Sequence, residues 1–99
     1  MHPMDTESVD RLFTAIAQLE SKEACRHFFE DLCTVKEVLD MAQRLDVAIL
    51  LDQGVNYQSI SQQVNVSTAT ISRVSKCLNY GSGGYRDVLR QLQDVEEQK

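Results

Sequence analysis

Tryptophan is absent from this sequence, proline occurs once and glycine four times in 99 residues. So few chain breakers exclude collagen-like and proline-rich disordered chains. Cysteine occurs three times, an odd number, at Cys25, Cys33 and Cys77, with no CxxC pair. That count excludes a disulfide scaffold and fits small buried thiols in a reducing compartment. Long apolar runs are also missing: the longest, Val47 to Leu51, is five residues, too short to span a bilayer. Met1 to Asp10 carries three acids and no apolar run, so it reads as neither a secretory signal nor a transit peptide. The expectation is a soluble, cytoplasmic chain forming one domain over residues 1–99, small enough to gain from a partner subunit.

The parts of an enzyme are lacking as well. There is no glycine-rich phosphate loop, no nucleophile beside a base, and no paired carboxylates in a cleft-forming pattern. Neither catalysis nor a cofactor is expected. A metal site from Cys25, His27 and Cys33 is rejected, because Cys25 and His27 are two apart and diverge on a helix. His27, among apolar neighbours, reads as structural, and His2 as part of a frayed tail. The Gly81, Ser82, Gly83, Gly84 run has no flanking strand and reads as a loop rather than a phosphate cradle.

Positive charge is scarce, but it is not evenly scarce. The net charge is −5, made up of −6 over residues 1–53, +3 over 54–93 and −2 over 94–99. A local basic field inside an acidic chain points to the middle segment as the place where an anion is met.

What is present is helical periodicity. Val9, Leu12, Phe13 and Ile16 predict an amphipathic helix over Thr6 to Leu19. Ser21 is a good cap for a second, with Ala24, Cys25, Phe28, Phe29 and Leu32 as its broad apolar face. Thr34 and Glu37 form a capping box for a third and longer helix, central because Val47 to Leu51 is apolar nearly all round, and ended by Gly54. Asn56 caps a fourth through Val64, which Asn65 ends in the left-handed region. Ser67 caps a fifth from Thr68 to about Leu78, with Ile71, Val74 and Leu78 inward. Tyr85, Val88, Leu89, Leu92 and Val95 predict a sixth, fading near Glu96. The fold class is all-α.

Two short helices joined by about three residues make a helix-turn-helix over residues 56–78. Ser61 lies where the two helices cross. Thr68, Ala69, Ser72 and Lys76 lie outside on the second helix, flanked by Thr70 and Arg73. Hydroxylated residues at a helix start are often only caps, and Arg with Lys three on is often only a solvated face. The preceding helix, the turn and the inner stripe favour DNA: short side chains can approach base edges, while Arg73, Lys76 and Gln58 reach phosphates.

The runs "AQRLDVAILLDQGVNYQSIS", Ala42 to Ser61, and "STATISRVSKCLNYGSGGY", Ser67 to Tyr85, resemble the Trp repressor superfamily, specifically its YerC/YecD branch. The likeness extends from about Thr6 to Leu92. It implies an intertwined all-α homodimer, with residues 6–54 as dimerisation helices, 56–78 as the helix-turn-helix and 84–96 as the C-terminal helix. It implies a DNA-binding transcriptional repressor acting on double-stranded DNA, with half-sites about one helical turn apart.

Carried across residue by residue, the DNA-facing set is Gln58, Ser61, Thr68, Ala69, Thr70, Ser72 and Arg73. The family has basic residues at the positions of Gln58 and Ser61, so phosphate affinity is expected to be weaker here or to be supplied by Lys76 and Arg86. The effector pocket the resemblance implies falls on Gln43, Arg44, Arg73, Val74 and Cys77. Arg73 matches the family's carboxylate-binding arginine, but Val74 stands where a glycine makes room for the indole, so free tryptophan is not expected as effector. Cys77 is expected to be a small buried hydrophobe, with a redox-sensing thiol beside Arg73 and Lys76 as the other option. The alternative to DNA binding is a helical adaptor that uses the same surface on a protein, favoured by the acidic balance and the non-basic Gln58 and Ser61.

Overall fold

In the computed structural model, which describes residues 2–97, six helices follow one another: α1 Glu7–Ala17, α2 Lys22–Leu32, α3 Val35–Asp52, α4 Tyr57–Val64, α5 Thr68–Tyr80 and α6 Gly84–Glu97. The described residues contain no strand. Contacts divide the chain into two compact units, one through Val38 and one from Leu39 on.

The first unit holds α1, α2 and the opening turn of α3. Thr6 and Ser21 cap their helices, accepting from the Val9 amide at 3.1 Å and the Ala24 amide at 3.0 Å, which satisfies donors a helix start leaves open. Helix α1 stops at Ala17, two residues short of the expected end, in a tight turn where the Gln18 and Leu19 amides donate to the Ala15 and Ile16 carbonyls. The capping box forms as expected: the Glu37 amide donates to Thr34 Oγ1 at 3.1 Å and the Thr34 amide to Glu37 Oε1 at 2.9 Å. Phe28 and Phe29 meet edge to face, 5.8 Å apart at 73°. Neither α1 nor α2 contains a buried residue, and Phe13 and Leu32 are each 49 % exposed. Their apolar faces are only half covered.

The second unit carries the core. Val47 and Ala48 of α3, Ile60 of α4, Ile71, Val74 and Leu78 of α5, and Leu89 of α6 are buried together. The inward stripe of α5 is the expected one. Burying valine, isoleucine and leucine side chains such as these stabilises by about 1.5–3 kcal/mol each.

The ends of α3 and α4 are set by backbone geometry. Gly54 takes φ +82°; its amide reaches the Leu51 carbonyl and the Val55 amide reaches Leu50, both at 3.0 Å, a Schellman ending. Asn65 ends α4 at φ 59°, ψ 52°, where it donates its amide to Ser61 at 3.0 Å. Helix α5 runs to Tyr80, two residues beyond the expected end, and stops at Gly81, whose backbone is extended (φ −83°). A Cβ there would stand 2.3 Å from the Cys77 carbonyl oxygen. Gly81 is required by close approach, not by handedness.

Candidate nucleic-acid interface

Helix α4, three turn residues and α5 make the helix-turn-helix. Ile60 and Ile71 are fully buried between its two arms and α3, and Val64 and Val66 pack at the edge of the same cluster. Two side chains brace the turn. Ser61 Oγ donates to the Val66 carbonyl at 2.7 Å, and Gln43 Nε2 of α3 donates to the Val64 carbonyl at 3.2 Å. Backbone oxygens released where α4 ends thereby find partners. Ser67 then caps α5 through the Thr70 amide at 3.2 Å, with Thr70 Oγ1 a further 3.1 Å away from its hydroxyl.

With the inner row and the turn accounted for, the outer row of α5 follows. Thr68, Ala69, Ser72, Arg73 and Lys76 are all exposed. None of their side chains has a hydrogen-bonding or ionic partner among the described residues. Spacings of three and four put them on one strip, about 12 Å long at 1.5 Å per residue. That is close to the width of the major groove, about 12 Å. The helix contains no acid, and Asp87 is the lone acid from residue 54 to 93. Gln58 is exposed in the first turn of α4.

Other residues sit differently from what the sequence led us to expect. Ser61 is half-buried and its hydroxyl faces the turn, where it donates to the Val66 carbonyl. Thr70 is half-buried and tied into the α5 cap. Arg86 is not an open phosphate contact: its guanidinium reaches Asp52 Oδ1 at 2.7 Å and Asn79 Oδ1 at 3.1 Å. Cys77 is exposed rather than buried, because Leu78 occupies the inner row. Cys25 and His27 are exposed too, in a helix that buries nothing.

The five residues of the implied effector set do not converge within the chain. Val74 is in the core at 2 % exposure, Gln43 is held by Val64, and Arg44 and Arg73 are exposed. Of the five, Cys77 alone lines the open apolar groove formed with Leu45, Gly81, Ser82, Gly84, Tyr85 and Val88. No helix among the described residues is long and apolar enough to cross a membrane. Sequence reasoning missed the Asp52, Arg86 and Asn79 constellation, since nothing in a helical period links positions 34 residues apart.

The architecture and its turn define an all-α helix-turn-helix protein. The chain belongs to the Trp repressor family, whose model, described as Trp repressor protein, matches residues 7–93. It is 44 % identical over 90 residues to the uncharacterized protein YerC of Bacillus subtilis strain 168, covering 91 % of this chain and 86 % of YerC. The crystal structure of a TrpR-like protein from Eubacterium eligens superposes at a TM-score of 0.87 with 42 % identity, over 91 % of this chain and 93 % of that one. A structure from Staphylococcus aureus, titled as a candidate Trp repressor, superposes at 0.87 with 41 % identity, over 94 % and 96 %.

Proposed function

We propose that this chain is a sequence-specific DNA-binding regulator of transcription, a repressor by family analogy, which works in the cytoplasm as a homodimer. The observation that carries the reading is the strip Thr68, Ala69, Ser72, Arg73 and Lys76: exposed, unpartnered and mounted on a helix whose opposite side is locked into a core. Short hydroxyls and a methyl at the amino end of α5 fit base edges, and the two cations further along fit phosphates. The half-covered apolar faces of α1 and α2 support a second copy as their cover, with residues 6–54 as the dimerisation helices. Two-fold pairing of this kind presents two recognition helices to a palindromic site.

Free tryptophan is not the effector in this reading. The Val74 side chain is packed into the core of the helix-turn-helix, at the position where the family's tryptophan-responsive members leave room for an indole. Cys77 has no place in the DNA strip.

The test is selection of bound genomic fragments by the purified protein, with a Ser72→Ala, Arg73→Ala control and a salt titration on the best fragment. Enrichment of a two-fold symmetric motif, lost in the control and weakened steeply by salt, is the expected result, since each phosphate contact adds about one to the slope of log K against log salt. A folded dimer that enriches nothing would turn the assignment toward a helical adaptor, which the acidic balance and the non-basic Gln58 and Ser61 favour.

A further inference from the structure

Beyond the bracing of the turn, one polar constellation ties three helices together at the end of α5 remote from the base-facing residues. Arg86, in the first turn of α6, directs Nη1 to Asp52 Oδ1 at 2.7 Å and Nη2 to Asn79 Oδ1 at 3.1 Å. Asp52 is the last residue of α3, and Asn79 stands next to the last residue of α5. The Asn79 amide nitrogen is itself fixed, donating to the Ser75 carbonyl at 2.9 Å and lying 3.3 Å from Ser75 Oγ. A planar guanidinium that serves two acceptors on two different elements fixes an angle as well as a distance.

We infer that Arg86 is a positioning residue for DNA reading, which holds the carboxyl end of α5 against α3 and α6 and so sets how the helix presents Thr68, Ala69 and Ser72. The inference rests on the DNA-binding reading of α5. The ion pair is roughly half exposed, with side-chain exposures of 45 % and 42 %, and such pairs are worth little to global stability. A bias on the pose of α5 cannot exceed the strength of the contact that makes it. The expected effect is therefore modest, about threefold to fivefold in specific affinity.

The opposite assignment, Arg86 as a phosphate contact, makes a prediction of opposite sign. Releasing Arg86 by Asp52→Asn would free a cation and remove a nearby anion, so binding would tighten. If Arg86 positions α5, Asp52→Asn weakens binding instead.

The experiment compares the full-length protein with Asp52→Asn, Arg86→Gln and the double variant. It measures affinity for the selected duplex relative to an unrelated duplex of equal length, the salt slope, and amide hydrogen exchange over residues 77–81 in the free protein. Circular dichroism checks folding, and near-isosteric Asp52→Asn keeps the test open if Arg86→Gln folds poorly. Expected are a loss of about threefold to fivefold in relative affinity for each single variant, a double no worse than either, an unchanged salt slope and faster exchange in the last turn of α5. Tighter binding by Asp52→Asn, with a salt slope lower by about one in Arg86→Gln, would overturn the inference. If the wild type selects no DNA, exchange still decides. Faster exchange in both single variants upholds the three-helix clasp and refutes the DNA reading, whereas unchanged exchange overturns the clasp.

Discussion

Ser61 and Val66 are joined across the turn between α4 and α5, hydroxyl to carbonyl, at 2.7 Å. The bond lets a half-buried carbonyl remain satisfied at the point where the chain reverses. Ser61→Ala leaves it without that donor, and the unfolding free energy falls by about 1 kcal/mol in urea denaturation. The affinity of the folded variant for DNA stays as in the wild type, because the hydroxyl faces inward. A clear loss of affinity without loss of stability would return Ser61 to the DNA-facing set.

Asn65 is the sole residue other than glycine with a positive φ among the described residues. Asn65→Ala keeps a Cβ in the left-handed region but loses the short polar side chain that makes asparagine tolerant of it, and costs about 1 kcal/mol, while Asn65→Gly is close to neutral. Thermal melts of the two variants give the ordering directly.

Gly54 and Gly81 end their helices for different reasons, and alanine separates them. At Gly54 there is open space around the added Cβ but φ is +82°, so Gly54→Ala costs about 1 kcal/mol of backbone strain. At Gly81 φ is ordinary, but the Cβ meets the Cys77 carbonyl, so the end of α5 itself must shift. Gly81→Ala is expected to lose more, about 2–3 kcal/mol, and to raise amide exchange at the end of α5, which Gly54→Ala leaves alone.

Val74 is a core side chain, and the proposal equates its position with the one that tryptophan-responsive relatives leave open for an indole. L-tryptophan titrated into the wild type is expected to leave the thermal midpoint where it was, since a ligand raises it only by binding the folded state. Val74→Ala costs about 2 kcal/mol through lost contacts and a cavity. Saturable stabilisation of the wild type by L-tryptophan would reverse the effector assignment.

Helices α1 and α2 bury no residue. If a second copy covers them, folding and association are one equilibrium, and the thermal midpoint rises with protein concentration. A midpoint independent of concentration over a hundredfold dilution, in a protein that sediments as a monomer, would remove the homodimer from the proposal.

The helices were legible in the sequence because their signals are local. Asn56, Ser67, Gly54 and Asn65 act within a turn of their own position, and the row Ile71, Val74, Leu78 repeats at the helical period. Less legible was anything decided by what lies opposite. Cys77 looked like a core residue by its chemistry, yet sits one place before the inner row and is exposed. Arg86 looked like a free cation until the end of α3 brought Asp52 beside it. Helix ends slipped by one or two residues, since the last turn answers to a single hydrogen bond, such as Gly81 to Cys77 at 2.9 Å.

The two rows of α5 divide its duties without overlap. Ile71, Val74 and Leu78 hold the helix in place, while the side chains of Thr68, Ala69 and Ser72 meet no hydrogen-bonding partner elsewhere in the chain among the described residues. Exchanging exposed residues of that kind costs the fold little, within about 0.5 kcal/mol. Under the DNA-binding proposal, new specificities can accordingly be drawn from randomised libraries at these three positions on an unchanged scaffold, and duplicated copies of such a chain can drift apart in what they read while remaining equally well folded.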